Sequence, residues 1–332
     1  MLYRLFLSLL GAIALASPAR AAHMMHADAE ATVAILMFDG VQIIDFAAPY
    51  EVFGQAHFNV YTVSADGKPV TTAMGLNVVV DHGFADAPAA DIVLVPGGEV
   101  DAARRDASTL DWLRERSVPA GEVLSVCTGA FILADAGLLD GKRATTFHNA
   151  FSSFEREYPS VTLVTDQRWV DNGKVITSAG LASGIDAALH VVARRLGERR
   201  ARAIALHLEY DWSPHQGFVR GLMADRYLRM PEQDPDFPEG TRIRKELELG
   251  DEERWEIDYR VESPLGPEEL LARITAMARA DDGLTVLEQD SALATGWRYE
   301  TKQTGQWQLL LRAEASKPGE SYRVTAILEP VD

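Results

Sequence analysis

The run Ser125-Val126-Cys127-Thr128-Gly129-Ala130 sets a thiol between small residues, and Cys127 is the single cysteine of the 332-residue chain. Small-x-nucleophile-x-small is the spacing of a nucleophile elbow, a sharp turn from a strand into a helix. A bulky side chain two positions either side of the nucleophile would strike neighbouring backbone in such a turn. The chemistry open to the residue is attack on an electrophilic carbon through a covalent thio-intermediate. A sulfur at a helix N-terminus meets the positive end of the helix dipole, so the expectation is a thiol pKa below its ordinary value. The amide of Thr128, and those of Gly97 and Gly98 in the upstream run Val95-Pro96-Gly97-Gly98, are the donors expected to hold a developing negative charge.

An elbow needs a strand before it and a helix after it. Residues 122–126 (EVLSV) read as a buried strand, and residues 128–139 as a helix with Gly137 near its end. The apolar runs 33–38 (VAILMF) and 91–96 (DIVLVP) have the length and composition of strands covered on both faces. Residues 58–64 and 76–80 add two shorter strands, and Asp171-Asn172-Gly173 marks a hairpin between 169–170 and 174–177. Helical patterns occupy residues 46–55, 109–116, 185–196 and 201–210. This alternation predicts an α/β fold, flavodoxin-like, with a parallel sheet sandwiched by helices. Ligands sit at the carboxyl ends of the strands in such folds, where Gly97, Gly98 and Cys127 fall. The acidic, Pro-rich residues 231–240 read as a linker. Beyond it, residues 242–249, 255–261, 285–289, 296–301, 306–315 and 322–328 alternate polar and apolar, around one amphipathic helix over 267–278. The expected division is a first domain over 31–230 and, over 241–332, a small α+β domain with an antiparallel sheet and no cluster of chemistry-bearing residues.

Residues 1–21 read as a secretory signal peptide: Arg4 ahead of a short apolar run, then the small-x-small site Ala19-Arg20-Ala21. The run is shorter than the roughly 20 residues a spanning helix needs. The expectation is a mature protein with no membrane span, periplasmic or secreted. A lone thiol is a liability in that oxidising compartment unless it acts or is buried. The net charge of −17 leaves no basic face for a phosphate backbone, so a small-molecule substrate is expected and nucleic acid is not. The local cluster Arg194, Arg195, Arg199, Arg200 and Arg202 reads as the solvated flank of a helix pair. Residues 22–31 read as a leader, where His23 and His26 with Met24 and Met25 offer a soft-metal alternative; no metal site or cofactor is expected in the fold.

Val95-Pro96-Gly97-Gly98 and residues 125–146 (SVCTGAFILADAGLLDGKRATT) resemble the ThiJ/PfpI superfamily, of class I glutamine-amidotransferase-like fold. The resemblance is closest to the isonitrile hydratases and to the amidotransferase-like domains of AraC-type regulators. Residues 38–53 (FDGVQIIDFAAPYEVF) resemble that branch's first loop and helix, 177–186 (TSAGLASGID) its Gly-rich turn into a helix, and Leu208-Glu209-Tyr210 its closing helix. The resemblance runs over residues 31–225 and leaves the C-terminal domain uncovered. It implies a nucleophile at Cys127, a catalytic threonine at Thr128, a catalytic aspartate at Asp45, no metal or organic cofactor, and a homodimer. Read by itself, Asp45 is also a fit N-cap for the helix over 46–55, and Glu51 within that helix is a solvated carboxylate. His148 is a candidate to orient the thiol, although relatives carry His-Trp where this chain has Phe147-His148. Thr128 stands where the peptidase branch has histidine, which speaks against a Cys-His-Asp/Glu protease triad. The signal peptide departs from the branch, and the strand-rich C-terminal domain replaces the helix-turn-helix of the regulators.

These residues point to an exported hydratase or hydrolase of a small carbon–nitrogen compound, in the manner of an isonitrile hydratase. Two other functions stay open: a non-catalytic thiol sensor or ligand-binding protein with an oxidisable Cys127, and a glyoxalase-type activity on reactive carbonyls, which leans on a glutamate beside the cysteine.

Overall fold

Alternation along the apolar strands splits the N-terminal half into two cores. In β1 (Thr32–Leu36) of the computed structural model, Val33 and Ile35 point into one core while Ala34 and Leu36 point into the other. The structure describes residues 29–214, 217–232, 236–301 and 305–331. The expected signal peptide and the His23/His26 reading lie outside the described residues.

After β1 come α1 (Ile43–Gln55), β2 (Asn59–Ser64), the short strands β3 (Val70–Thr71), β4 (Asn77–Val78) and β5 (His82–Gly83), and β6 (Ile92–Val95). Next are α2 (Ala107–Ser117), β7 (Glu122–Val126), α3 (Gly129–Asp135), β8 (Arg143–Ala144), α4 (Phe151–Glu157) and β9 (Thr162–Leu163). The half closes with β10 (Trp169–Asp171), β11 (Val175–Ser178), α5 (Ala182–Leu196) and α6 (Glu198–His207). The main sheet has the order β10-β11-β7-β6-β1-β2-β5. All its neighbours are parallel except the hairpin β10–β11. Val52 and Phe53 of α1, Leu189 of α5 and Ile204 of α6 fill one face. Trp112 of α2, Ile132 of α3 and Phe154 of α4 fill the other. A buried strand side chain of this kind contributes about 2 kcal/mol, and both faces supply them, which is why these strands read as unbroken apolar runs. Among the described residues no helix is long and apolar enough to cross a membrane.

Two boundaries differ from the sequence reading. The first helix starts at Ile43 rather than at residue 46, because its N-cap, Gln42, caps without a side-chain hydrogen bond and so leaves no mark in the sequence. The helix after the elbow spans only Gly129–Asp135, and Gly137 follows in the left-handed region (φ +76°).

The C-terminal sheet comprises β12 (Arg242–Gly250), β13 (Trp255–Glu262), β14 (Thr285–Val286), β15 (Ala294–Thr301), β16 (Gly305–Ala313) and β17 (Tyr322–Pro330), with α7 (Pro267–Ala280) between β13 and β14. Its order is β12-β13-β17-β16-β15-β14, antiparallel throughout. Ile257, Val261, Trp297, Leu309 and Val324 meet Leu270, Leu271 and Ile274 of α7 in a third core. The chain divides into two compact units: the described residues up to Leu163 with Trp169–Pro214, and Val164–Arg168 with the described residues after Pro214. The change of unit thus comes earlier than the expected boundary at residue 230. Met223, Ala224 and Tyr227 are buried in the third core, and the Tyr227 carbonyl accepts from the Tyr299 hydroxyl at 2.6 Å. That stretch forms 3-10 turns without periodicity, so its sequence carries no sign of the core it joins.

Candidate active site

Four loops leave the carboxyl ends of β1, β6, β7 and β11 and converge on the residue that ends the fully buried strand β7. Cys127 adopts a left-handed backbone (φ +57°), a conformation that costs a non-glycine residue about 1 kcal/mol or more and persists only when its surroundings impose it. Here they do. Its amide donates to the Ser178 carbonyl at 3.1 Å, and its carbonyl accepts from the Thr146 hydroxyl at 2.9 Å. Two glycines let the neighbouring loops close on it. A Cβ at Gly97 would lie 2.8 Å from Cys127 Cβ, and one at Gly180 (φ +97°) 2.6 Å from Cys127 Cβ and 2.9 Å from Sγ.

Asp45 occupies the first turn of α1 and is fully buried. It does not serve as the N-cap: one carboxylate oxygen accepts from the Gly97 amide at 3.2 Å and the other from the Leu181 amide at 3.1 Å. The Cys127 thiol donates to the same carboxylate. Burial pushes the Asp45 pKa up to about 6, against the lowering influence of these three hydrogen bonds.

The expected depression of the thiol pKa is overturned. Burial raises it well above the ordinary range, and the charge of Asp45 raises it further. The Thr128 amide and hydroxyl act in the opposite direction and do not prevail. The helix behind them has only seven residues, too little to offset a desolvated site with a carboxylate in contact. Cys127 therefore rests as a protonated thiol hydrogen-bonded to a carboxylate.

Thr128 caps α3 and ties the elbow to the Gly97-Gly98 turn. Its hydroxyl accepts from the Gly98 amide at 2.9 Å and donates to the Gly98 carbonyl at 3.0 Å. The expectation that Gly97 and Gly98 offer amides to a substrate is corrected for the same reason: both donors are committed, to Asp45 and Thr128 respectively. The two glycines instead place the acid. Gly97 accepts from the Gln42 amide at 2.9 Å and Gly98 bridges Val41, which docks the start of α1 against the elbow. The Thr128 amide, expected as a further donor, faces the sulfur.

The structure thus gathers Cys127, Asp45, Thr128, Gly97 and Gly98. His148 opens a 3-10 turn, His148–Ala150, with its ring 4.4 Å from that of Phe147. Glu51 is exposed and accepts from the Gln55 side chain at 2.8 Å, as a solvated carboxylate should. Sequence reasoning missed Leu181, whose amide orients Asp45 from a strained backbone (φ 51°, ψ −122°), and also Ser178 and Thr146. The segment 177–186 held the clue for two of them, as a Gly-containing turn between a strand and a helix. Among the described residues no three His, Cys, Asp or Glu side chains gather as a metal centre would need.

A sequence model of the DJ-1/PfpI family matches residues 31–194. An isonitrile hydratase of Pseudomonas putida is 36% identical over 184 residues, 55% of this chain and 79% of that one. The HTH-type transcriptional regulator CdhR of Pseudomonas aeruginosa is 29% identical over 252 residues, 74% of this chain and 70% of the regulator. Among solved structures, that of a ThiJ/PfpI family protein from Pseudomonas syringae aligns with a TM-score of 0.50 and 31% identity, covering 56% of this chain and 78% of that one.

Proposed function

This chain belongs to the DJ-1/PfpI family, and from that premise we propose that it is an exported, cysteine-dependent hydratase of small isonitriles. The observation that carries the reading is the hydrogen bond from the Cys127 thiol to a buried carboxylate fixed by two main-chain amides. An isonitrile needs both partners at one carbon: a nucleophile to add to it and a proton delivered to it. Asp45 takes the thiol proton as Sγ bonds to the terminal carbon, then passes that proton to the same carbon, leaving a thioimidate on Cys127. Water, deprotonated by Asp45, adds to the thioimidate carbon. Asp45 passes that proton to the nitrogen; the C–S bond then breaks as the hydroxyl proton of the adduct passes, by way of Asp45, to sulfur, and an N-substituted formamide leaves. The sum is isonitrile plus water, with no redox change. A thiol held protonated until substrate arrives also suits an oxidising compartment, since thiolate character sets susceptibility to oxidation. That weighs against the sensor reading.

The C-terminal unit speaks against the helix-turn-helix mode of DNA binding. Its described residues contain a single α-helix, α7, whereas a helix-turn-helix needs two in succession. The export expected from residues 1–21 belongs to the same proposal. Incubation of the mature protein with an alkyl isonitrile, followed by NMR for the formamide, is the test. Turnover lost by at least about 100-fold in Asp45→Asn, and in Cys127→Ala, is the expected result. Absence of turnover in the wild-type protein would sink the hydratase reading.

A further inference from the structure

We propose that Tyr210 is a positioning residue: from the end of α6 it pins the first turn of α5, so that the Leu181 amide stays aimed at the Asp45 carboxylate. Its effect on turnover rests on the hydratase reading, whereas the placement of Asp45 does not. The chain builds the contact locally. Leu208-Glu209-Tyr210 ends α6 with the paired bonds of a Schellman motif, from the Glu209 amide to the Leu206 carbonyl at 3.1 Å and from the Tyr210 amide to the Ala205 carbonyl at 2.9 Å. Glycine usually takes the left-handed position of that motif; here Glu209 does, at φ +51°. The reversal leaves Tyr210 half-buried against the core that contains Cys127. Its hydroxyl donates to the Asp186 carboxylate at 3.0 Å and reaches the Ala182 carbonyl at 3.4 Å. Ala182 opens α5, and the buried Asp186 lies about one turn along it, so one ring spans the start of the helix.

That start lacks a side-chain cap: Leu181, at the N-cap, makes no such bond. Its backbone (φ 51°, ψ −122°) is one that persists only under restraint from its surroundings. Gly184 gives part of that restraint by letting α5 settle on β7, since a Cβ there would lie 2.9 Å from the Val126 side chain. Tyr210 supplies a second hold, directed at polar atoms. The consequence falls on Asp45. Of the hydrogen bonds that oppose the effect of burial on its pKa, the one from the Leu181 amide is the strongest. The elbow meets Asp45 with a titratable side chain, Cys127, and the Gly97 turn meets it with an amide. Among the helices packed on α1, α5 turns its carboxylate, Asp186, to Tyr210. Arg200 of α6 donates to the Gln55 carbonyl, at the end of α1 away from Asp45. A Leu181 amide that drifts takes from the charged carboxylate its best donor, and Asp45 then keeps its proton to higher pH.

The test is the titration of the Asp45 carboxyl in the full-length mature protein, followed by carbon NMR of isotopically labelled aspartate and assigned by its loss in Asp45→Asn. Wild type should titrate near pH 6. Tyr210→Phe keeps the ring, removes the hydroxyl, and should raise that midpoint by about half a pH unit or more, with the midpoint of formamide formation rising in step. Asp186→Ala breaks the same contact from α5 and should raise it as well, although deleting a negative charge by itself acts in the opposite direction. Glu209→Gly keeps both the turn and the ring and should leave the midpoint unmoved. Variants of Tyr210 and Asp186 that melt earlier but titrate as the wild type does would make Tyr210 a packing residue and overturn the proposal. The titration is read without substrate, so a wild type that turns over no isonitrile sinks the hydratase reading and leaves the Asp45 midpoints to decide the role of Tyr210.

Discussion

Cys127 and Asp45 share one proton, and each sets the other's chemistry. The carboxylate must be charged to draw the thiol proton, so the isonitrile reaction should quicken as pH rises through about 6 and then level off. A rate falling over that interval would remove Asp45 as the base. Alkylation should behave differently. The wild-type thiol should keep gaining reactivity beyond about pH 9, past the ordinary cysteine value of about 8.5, because burial and the Asp45 charge hold it protonated. Asp45→Asn deletes that charge and should shift the alkylation profile to lower pH, measurable by mass spectrometry. Stability carries the same signature. The folded pKa of Asp45, about 6, lies above its ordinary value of 3.8, so its stabilising contribution is complete below about pH 4 and is lost as pH climbs through about 6. The loss amounts to about 3 kcal/mol. Urea denaturation across that window should show it in the wild type and not in Asp45→Asn. Thr128→Val strands both polar groups of Gly98 and should cost about 1–3 kcal/mol, while Thr128→Ser keeps both bonds.

At the scale of elements, the site depends on how closely four strand-to-helix turns approach. Gly180→Ala would drive a Cβ to within 2.6 Å of the nucleophile from a left-handed backbone. It should cost roughly 2 kcal/mol or more and abolish turnover. Leu181→Gly should do the reverse. It relieves a backbone that leucine rarely adopts while keeping the amide that orients Asp45, and should raise the unfolding free energy by about 1 kcal/mol. A fall would mean the leucine side chain contributes more than its backbone costs. Sequence made the strands legible because burial on both faces leaves unbroken apolar runs: residues 122–126 were drawn with the bounds the structure shows. Cys127 was legible because the chain has no other thiol and its neighbours are small. The sign of its pKa shift was not, because the loops that bury it and the carboxylate of α1 come from elsewhere in the chain, whereas the local signal is a helix start. Ser178 and Leu181 act through main-chain groups, which every residue type carries, so the Gly-containing turn over 177–186 marks their neighbourhood but not the two residues themselves.

Over the whole molecule, every residue of the candidate site lies in the first unit. A chain ending at Pro214 should therefore retain the alkylation profile of Cys127, even if it melts at a lower temperature. A profile altered by the truncation would give the second unit a hand in the chemistry. The second unit is not simply appended. Val164–Arg168 counts with it, and Arg168 donates to the Phe218 carbonyl at 2.6 Å, so the polypeptide passes between units at Leu163, again at Arg168 and finally at Pro214. In genetic terms, a gene fragment joined after codon 214 would bring most of the second unit, and its product would have to pack against a Val164–Arg168 stretch already encoded within the family domain.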